Sequence, residues 1–248
     1  MIYVCSDIHG LWNRFEAFIN TLKEDDKVYF LGDAIDRGHD GIKILKYMMN
    51  DKRFTALLGN HEYLMYDFLN RKRKKLYLQE AYELWIQRNH GKVTLNNYSR
   101  LTKEEQDEIF NYIENMPLNI PDLCVNGKHF ALAHSGAVLA DKQLFIKTTD
   151  SDIVFGYVWA RFNYPYDEIV YNENLRKDIT MITGHTPTRA FINNYTKYCK
   201  EKVKDTIIFN GDDINKARMI DIDCGCAGSD LHTQFAVLCL DDLSVKYY

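Results

Sequence analysis

Three short apolar runs, residues 2–5, 27–31 and 54–58, are separated by two stretches of helical period, and each run stops at a cluster of polar residues. The first ends in Asp7-Ile8-His9-Gly10, the second in Gly32-Asp33-Ala34-Ile35-Asp36-Arg37-Gly38, and the third in Gly59-Asn60-His61-Glu62. Between the first two runs, Leu11, Phe15, Phe18, Ile19 and Leu22 recur at the spacing of one helix face. Ile42, Ile44, Leu45, Met48 and Met49 predict a second helix. Strand–helix alternation of this kind predicts parallel pairing through crossover helices. Ligands of such sheets sit beyond the carboxyl ends of the strands. Asp7, Asp33 and Asn60 are therefore expected on one rim.

The rest of the chain reads differently. Residues 62–116 are helical in period and carry Arg71-Lys72-Arg73-Lys74-Lys75, read as a solvated helix face. Strand signals return at 129–133, 179–183, 206–209, 219–222 and 235–240. No repeat or linker divides the sequence, so residues 1–248 are expected to form a single domain with a helical insertion at about 62–116. A formal net charge of −4 supplies no basic field, and no nucleic-acid partner is expected. The start, MIYVCSDIHG, lacks the features of an export signal, and no apolar run reaches membrane-spanning length. A cytoplasmic protein without a membrane partner is expected, its six cysteines reduced. Cys224-Gly225-Cys226 is read as strand-end thiols, not as a metal site.

His134-Ser135-Gly136 and Gly184-His185-Thr186-Pro187 also stand at strand ends. Taken singly, an Asp-x-His, His-Ser-Gly or Gly-His-Thr-Pro stretch is explained by hydrogen-bonded turns. Gly-Asp-x-x-Asp-Arg-Gly is more specific, with a chance occurrence on the order of one in ten thousand for a chain of this size. Together the stretches point to one cause. Carboxylate and imidazole are what divalent transition metals accept. Asp7, His9, Asp33, Asn60, His134 and His185 are too many for one catalytic zinc, and suit two ions sharing a carboxylate.

The set resembles the calcineurin-like metallophosphoesterases, and within them the bacterial and phage type of phosphoprotein phosphatase. Trp85-Ile86-Gln87-Arg88-Asn89-His90-Gly91 with Thr94 and Tyr98, Met116-Pro117-Leu118, Trp159-Ala160-Arg161 and Ile220-Asp221-Ile222-Asp223-Cys224-Gly225 extend the resemblance along nearly the whole chain. The resemblance implies an α/β fold, a four-layer αββα sandwich of two mixed sheets flanked by helices. It implies that Asp7 and His9 bind one metal, Asn60, His134 and His185 the other, and Asp33 both. Arg37 and Arg161 would grip phosphoryl oxygens, and His61, oriented by Asp36, would be the general acid. The implied cofactors are two divalent ions, manganese first, with iron or zinc as alternatives. A hydroxide held between them would attack phosphorus in line. The implied activity is phosphomonoester hydrolysis, foremost as a serine/threonine protein phosphatase acting on a phosphoprotein or phosphopeptide. The alternatives are a hydrolase of the diadenosine tetraphosphate type, to which Tyr157, Tyr164 and Tyr166 around Arg161 would lend stacking surfaces, and a catalytically silent metal-binding scaffold. His90 stands where relatives often have glycine; if the turn there is left-handed, histidine is one of the better-tolerated other residues, and the sequence leaves open whether it faces the substrate groove. The insertion is expected to form part of the substrate rim. Nothing in the sequence sets the oligomeric state.

Overall fold

Strand β1 (Ile2–Cys5) pairs in parallel with β2 (Lys27–Phe30), and β2 with β3 (Phe54–Ala56), as the alternation predicts. Helices α1 (Trp12–Ile19) and α2 (Gly41–Asn50) make the two crossovers. The computed structural model describes residues 1–136, 140–161, 178–190, 205–228 and 232–248. Tyr164, Tyr166 and Cys199 lie outside them. Strand β9 (Ala236–Cys239) adds to the other side of β1 in antiparallel register, and β10 (Val245–Tyr247) pairs with β9, closing a sheet of order β10-β9-β1-β2-β3.

The second sheet has the order β4-β5-β6-β8-β7. Its parallel centre is β5 (Lys128–Ala133), β6 (Thr180–Thr183) and β8 (Met219–Asp221), with β4 (Asn119–Val125) and β7 (Ile208–Phe209) antiparallel at the edges. Val4, Leu238, Phe130, Leu132, Ile182 and Ile220 join in one apolar cluster drawn from both sheets. Their neighbours along the strands, Cys5, Val237, Ala131, Ala133 and Met181, belong to a second cluster shared with helices. The sheets therefore pack face to face with helices outside, in four layers αββα. Phe15 of α1 meets Phe30 and Phe54 on the outer face of the first sheet. Helix α7 (Ser151–Trp159) lies by the second, where Tyr157 O accepts from Ser135 N–H at 3.1 Å. Full burial of a side chain such as Leu132 or Leu238 contributes about 1.5–3 kcal/mol.

The helical insertion starts two residues earlier than the periodicity suggests. Asn60 and His61 form the first turn of α3 (Asn60–Arg73). It continues through α4 (Gln79–Tyr82), a π-helical turn at Glu83–Arg88, α5 (Lys92–Tyr98) and α6 (Lys103–Glu114). Strands β4 and β10 and helix α7 have no counterpart in the sequence expectation. In β4, Pro121 interrupts the pattern, and the register with β5 shifts between Ile120 and Leu123, an irregularity an edge strand tolerates. Helix α7 is apolar on more than one side, with Ile153 and Phe155 exposed, so its periodicity is blurred. Cys5, Cys224, Cys226 and Cys239 are buried free thiols, and Cys124 is an exposed one. No helix among the described residues is long and apolar enough to cross a membrane.

Candidate metal centre

The loops that follow β1, β2, β3, β5 and β6 meet at one rim, because the parallel strands of each sheet all point their carboxyl ends there. The first two loops run as a ladder: Asp7 N–H donates to Gly32 O at 3.0 Å, His9 N–H to Asp33 O at 3.0 Å, and Gly10 N–H to Ala34 O at 2.8 Å. Asp7, His9, Asp33, Asp36, Arg37 and His185 all have positive φ, between 44° and 71°. Such backbone costs of order 1–3 kcal/mol per residue and persists where surrounding bonds over-determine it. All of these side chains but that of Arg37 are buried. The loops also approach so closely that a Cβ on Gly59 would come within 2.3 Å of Asp33 Oδ1. Glycine is the residue that fits there.

Two groups of donor atoms result, each lying within 4.8 Å of one another: His9, Asp33 and His61, and Asp33, His134 and His185. Asp33 is common to both. Its Oδ2 lies 3.5 Å from His9 Nε2 and 3.8 Å from His61 Nε2, and its Oδ1 lies 3.5 Å from His134 Nε2. Asp7 Oδ1 is 4.0 Å from His9 Nε2, while Asp7 Oδ2 accepts from Ser6 Oγ and from His185 N–H. Asn60 Oδ1 lies 3.0 Å from both His134 Nε2 and His185 Nδ1. The six residues expected to bind metal therefore converge, all buried.

The hydrogen bonds test whether cations fit. His9 Nδ1 donates to Ile35 O at 2.9 Å and His134 Nδ1 donates to Leu31 O at 2.8 Å. A carbonyl partner fixes the tautomer and leaves Nε2 with a bare lone pair, as in metal-ligating histidines. Burial lowers the pKa of His9 and of His134, so neither ring is charged at neutral pH. Burial, with His134 adding to it, pushes His185 down to about 3. His134 Nε2 and Asn60 Oδ1 are thus two acceptors in contact, and His185 Nε2 is buried without a partner among the described residues. Acceptors so placed repel unless a cation lies among them. Burial would raise Asp33, but His134, His61, His9 and His185 outweigh it and hold the carboxyl well below its usual range. Burial raises Asp7, helped by Asp223 and Asp33, and pushes Asp223 up to about 6. The donor set fits two divalent ions sharing Asp33.

Next to it, His61 Nδ1 donates to Asp36 Oδ2 at 2.7 Å, directing Nε2 at the centre. Burial would depress His61; Asp33 and Asp36 outweigh it and raise the pKa. Asp36 is fixed in turn by Trp85 Nε1–H at 2.9 Å, and its own N–H donates to Thr94 Oγ1 at 3.0 Å. Arg37 is exposed at the rim. Arg161 Nη1 donates to Thr186 Oγ1 at 3.3 Å, beside His185. A cavity of about 580 Å³ opens from His61 and Arg37 to Arg88, Asn89, His90 and Ala227. His90 has φ of 61°, a left-handed turn, and lines that cavity.

Sequence reasoning missed the residues that hold the others in place. Glu62 is wholly buried and accepts from Asp33 N–H at 2.7 Å, Ala34 N–H at 2.9 Å, Ile35 N–H at 3.3 Å and Gly59 N–H at 3.3 Å. Burial and Asp33 push its pKa up to about 7. The available signal was its place three residues after Gly59, the Glu of a capping box. Glu62→Ala is expected to lower unfolding free energy by more than about 3 kcal/mol in urea denaturation, since four buried amides lose their acceptor.

A sequence model described as calcineurin-like phosphoesterase matches residues 1–215. The symmetrical bis(5'-nucleosyl)-tetraphosphatase of Buchnera aphidicola subsp. Schizaphis graminum (strain Sg) is 34% identical over 86 residues, covering 32% of this chain and 32% of its own. That of Proteus mirabilis (strain HI4320) is 26% identical over 138 residues, covering 54% of this chain and 44% of its own. The chain thus matches less than half the length of these curated relatives. A crystal structure of "a putative diadenosine tetraphosphatase" superposes with a TM-score of 0.60 over 100% of this chain and 92% of that one, at 12% identity. The metallophosphoesterase of Sphaerobacter thermophilus gives 0.50, over 100% of this chain and 87% of that one, at 15% identity. Both are likenesses of fold.

Proposed function

The chain belongs to the calcineurin-like phosphoesterase family, and from that premise we propose that it hydrolyses a dinucleoside polyphosphate of the diadenosine tetraphosphate kind. The observation that carries the chemistry is the Asp33 carboxylate shared by two clusters of buried donors. The names of the two curated relatives shift the preferred substrate from a phosphoprotein, the first expectation of the sequence, to a dinucleotide. Two bound divalent ions, manganese being the first choice, would supply an acidified water and offset charge on the phosphoryl oxygens.

Asp7, His9 and Asp33 would hold one ion, and Asp33, Asn60, His134 and His185 the other. Arg37 and Arg161 bind phosphoryl oxygens, each guanidinium fork matching two oxygens at once. His61 keeps a proton at Nε2, with Asp36 balancing its charge, and gives it to the leaving oxygen. Trp85 and Thr94 keep Asp36 from turning away.

Protein serine/threonine phosphatase is the second reading, favoured by the exposed Leu76, Tyr77, Tyr82 and Leu84 on the insertion, which offer a polypeptide an apolar surface. Metal-stripped protein reconstituted with manganese decides between them. Initial rates on diadenosine tetraphosphate, a phosphoserine peptide and a phosphotyrosine peptide are expected to favour the dinucleotide, with ADP as the sole nucleotide product. Preferential peptide turnover would install the second reading, and bound metal without turnover of any substrate would leave a scaffold.

A further inference from the structure

We infer that Arg88, supported by Asn89 and His90, forms a second phosphate subsite on the leaving-group side of the centre, where it holds the departing nucleoside diphosphate. This rests on the dinucleotide reading above. The cavity of about 580 Å³ beside His61 falls in the size range of sites for small organic ligands and exceeds what a single phosphoryl group fills. His61 stands in its wall, so the cavity lies where the leaving oxygen receives its proton. Its lining includes two arginines, Arg37 and Arg88, and no carboxylate. Among the described residues neither guanidinium has an ion-pair partner. Two guanidiniums without a carboxylate in ion-pair contact, on a cavity whose lining holds none, favour a ligand with more than one anionic group, which a phosphoserine side chain is not.

The shelf that carries Arg88 is anchored to the catalytic machinery. The π-helical turn Glu83–Arg88 buries Trp85 and leaves Arg88 exposed at its end. π turns recur at functional sites because the extra residue re-aims neighbouring side chains. Trp85 O accepts from Gly91 N–H at 3.0 Å, Asn89 Nδ2 donates to Leu84 O at 2.7 Å, and Trp85 Nε1 holds Asp36. A Cβ on Gly91 would lie 2.4 Å from Trp85 Nε1, so the turn packs directly on the indole. One element therefore orients the group that holds His61 and presents a guanidinium to whatever leaves past His61.

Competitive inhibition of p-nitrophenyl phosphate hydrolysis, in excess manganese, tests this with ADP and inorganic phosphate as probes. Arg88→Ala is expected to raise the inhibition constant of ADP at least about 10-fold, the scale of one charge-assisted hydrogen bond, and that of phosphate less than about 3-fold. Arg88→Lys should recover part of the loss, as a point charge in place of a fork. In turnover, the ratio of kcat/KM for diadenosine tetraphosphate to that for the aryl phosphate should fall about 10-fold in Arg88→Ala. Equal changes for both inhibitors, or none, would overturn the subsite. Wild-type protein that ignores the dinucleotide but shows the Arg88-dependent ADP effect would keep the subsite and sink the dinucleotide reading.

Discussion

Asp33→Asn is expected to lose metal and activity together. Metal content after dialysis should fall from about two ions per chain to fewer than one, and kcat by at least about 10³-fold, the scale of losing a central electrostatic stabiliser. Asparagine matches the carboxylate in shape, and its oxygen can still accept from His61 N–H, a bond of 3.1 Å in the native protein. The change therefore removes charge and leaves the loop in place. Asp33 is the one residue common to both donor groups, so its neutralisation weakens both at once. Added manganese should restore wild-type protein stripped with chelator and fail to restore the variant. A variant that kept two ions and most of its rate would move the bridging role to another carboxylate, with Asp7 the nearest choice.

His61→Asn should behave in the opposite way, keeping metal and losing rate selectively. A phosphoserine peptide, whose alkoxide is a poor leaving group, should slow by about 10²–10⁴-fold, the usual contribution of a general acid. Diadenosine tetraphosphate releases a nucleoside diphosphate, stable as an anion at neutral pH, and should slow by less than about 10-fold on the same reasoning. The contrast is read from kcat on the two substrates in one preparation, alongside metal content. Loss of metal in this variant would assign His61 to the first cluster as a ligand, a role that its 3.8 Å approach to Asp33 also permits. An equal slowing of both substrates would mean that the ring acts on something other than the leaving oxygen.

The donors were legible because each is a carboxylate, amide or imidazole placed where an apolar run ends, and chemistry limits the use of such residues in that position. The first sheet was legible for a related reason: β1, β2 and β3 are short apolar runs separated by clear helical periods. Their inner and outer faces were not. Val4 faces the other sheet and Cys5 the helices, yet both are apolar, and a strand buried on both faces carries no mark of sidedness. That is why the sandwich came from resemblance and not from the pattern. Edge strand β4 was hidden by Pro121 and its irregular register, and α7 by apolar residues on more than one face. The supporting residues were hidden for a different reason. Trp85 and Thr94 act through bonds spanning 49 and 58 positions of sequence, with nothing local to mark the partner, and the capping box that marks Glu62's bond to Gly59 says nothing of its bonds to Asp33, Ala34 and Ile35, 27 to 29 positions away. Arg88 sits in a motif that sequence reading quoted, and only the turn of the π helix shows that it faces the cavity.

The division of the donors between the two sheets fixes when the centre can exist during synthesis. Asp7, His9, Asp33, Asn60 and His61 leave the ribosome early and can be ordered by the first sheet's parallel strands. His134 follows more than seventy positions later. The bond from His185 N–H to Asp7 Oδ2 spans 178 residues. Chains are made at about 5–20 residues per second and fold from the amino end. For several seconds at that rate, then, a nascent chain carries Asp33 and His61 before His185 has been made. Strand β9, which pairs with β1, and β10, which pairs with β9, arrive later still. The growing chain thus acquires the parts of its hydrolytic centre in sequence, and the complete donor set closes only when β6 has docked against β5.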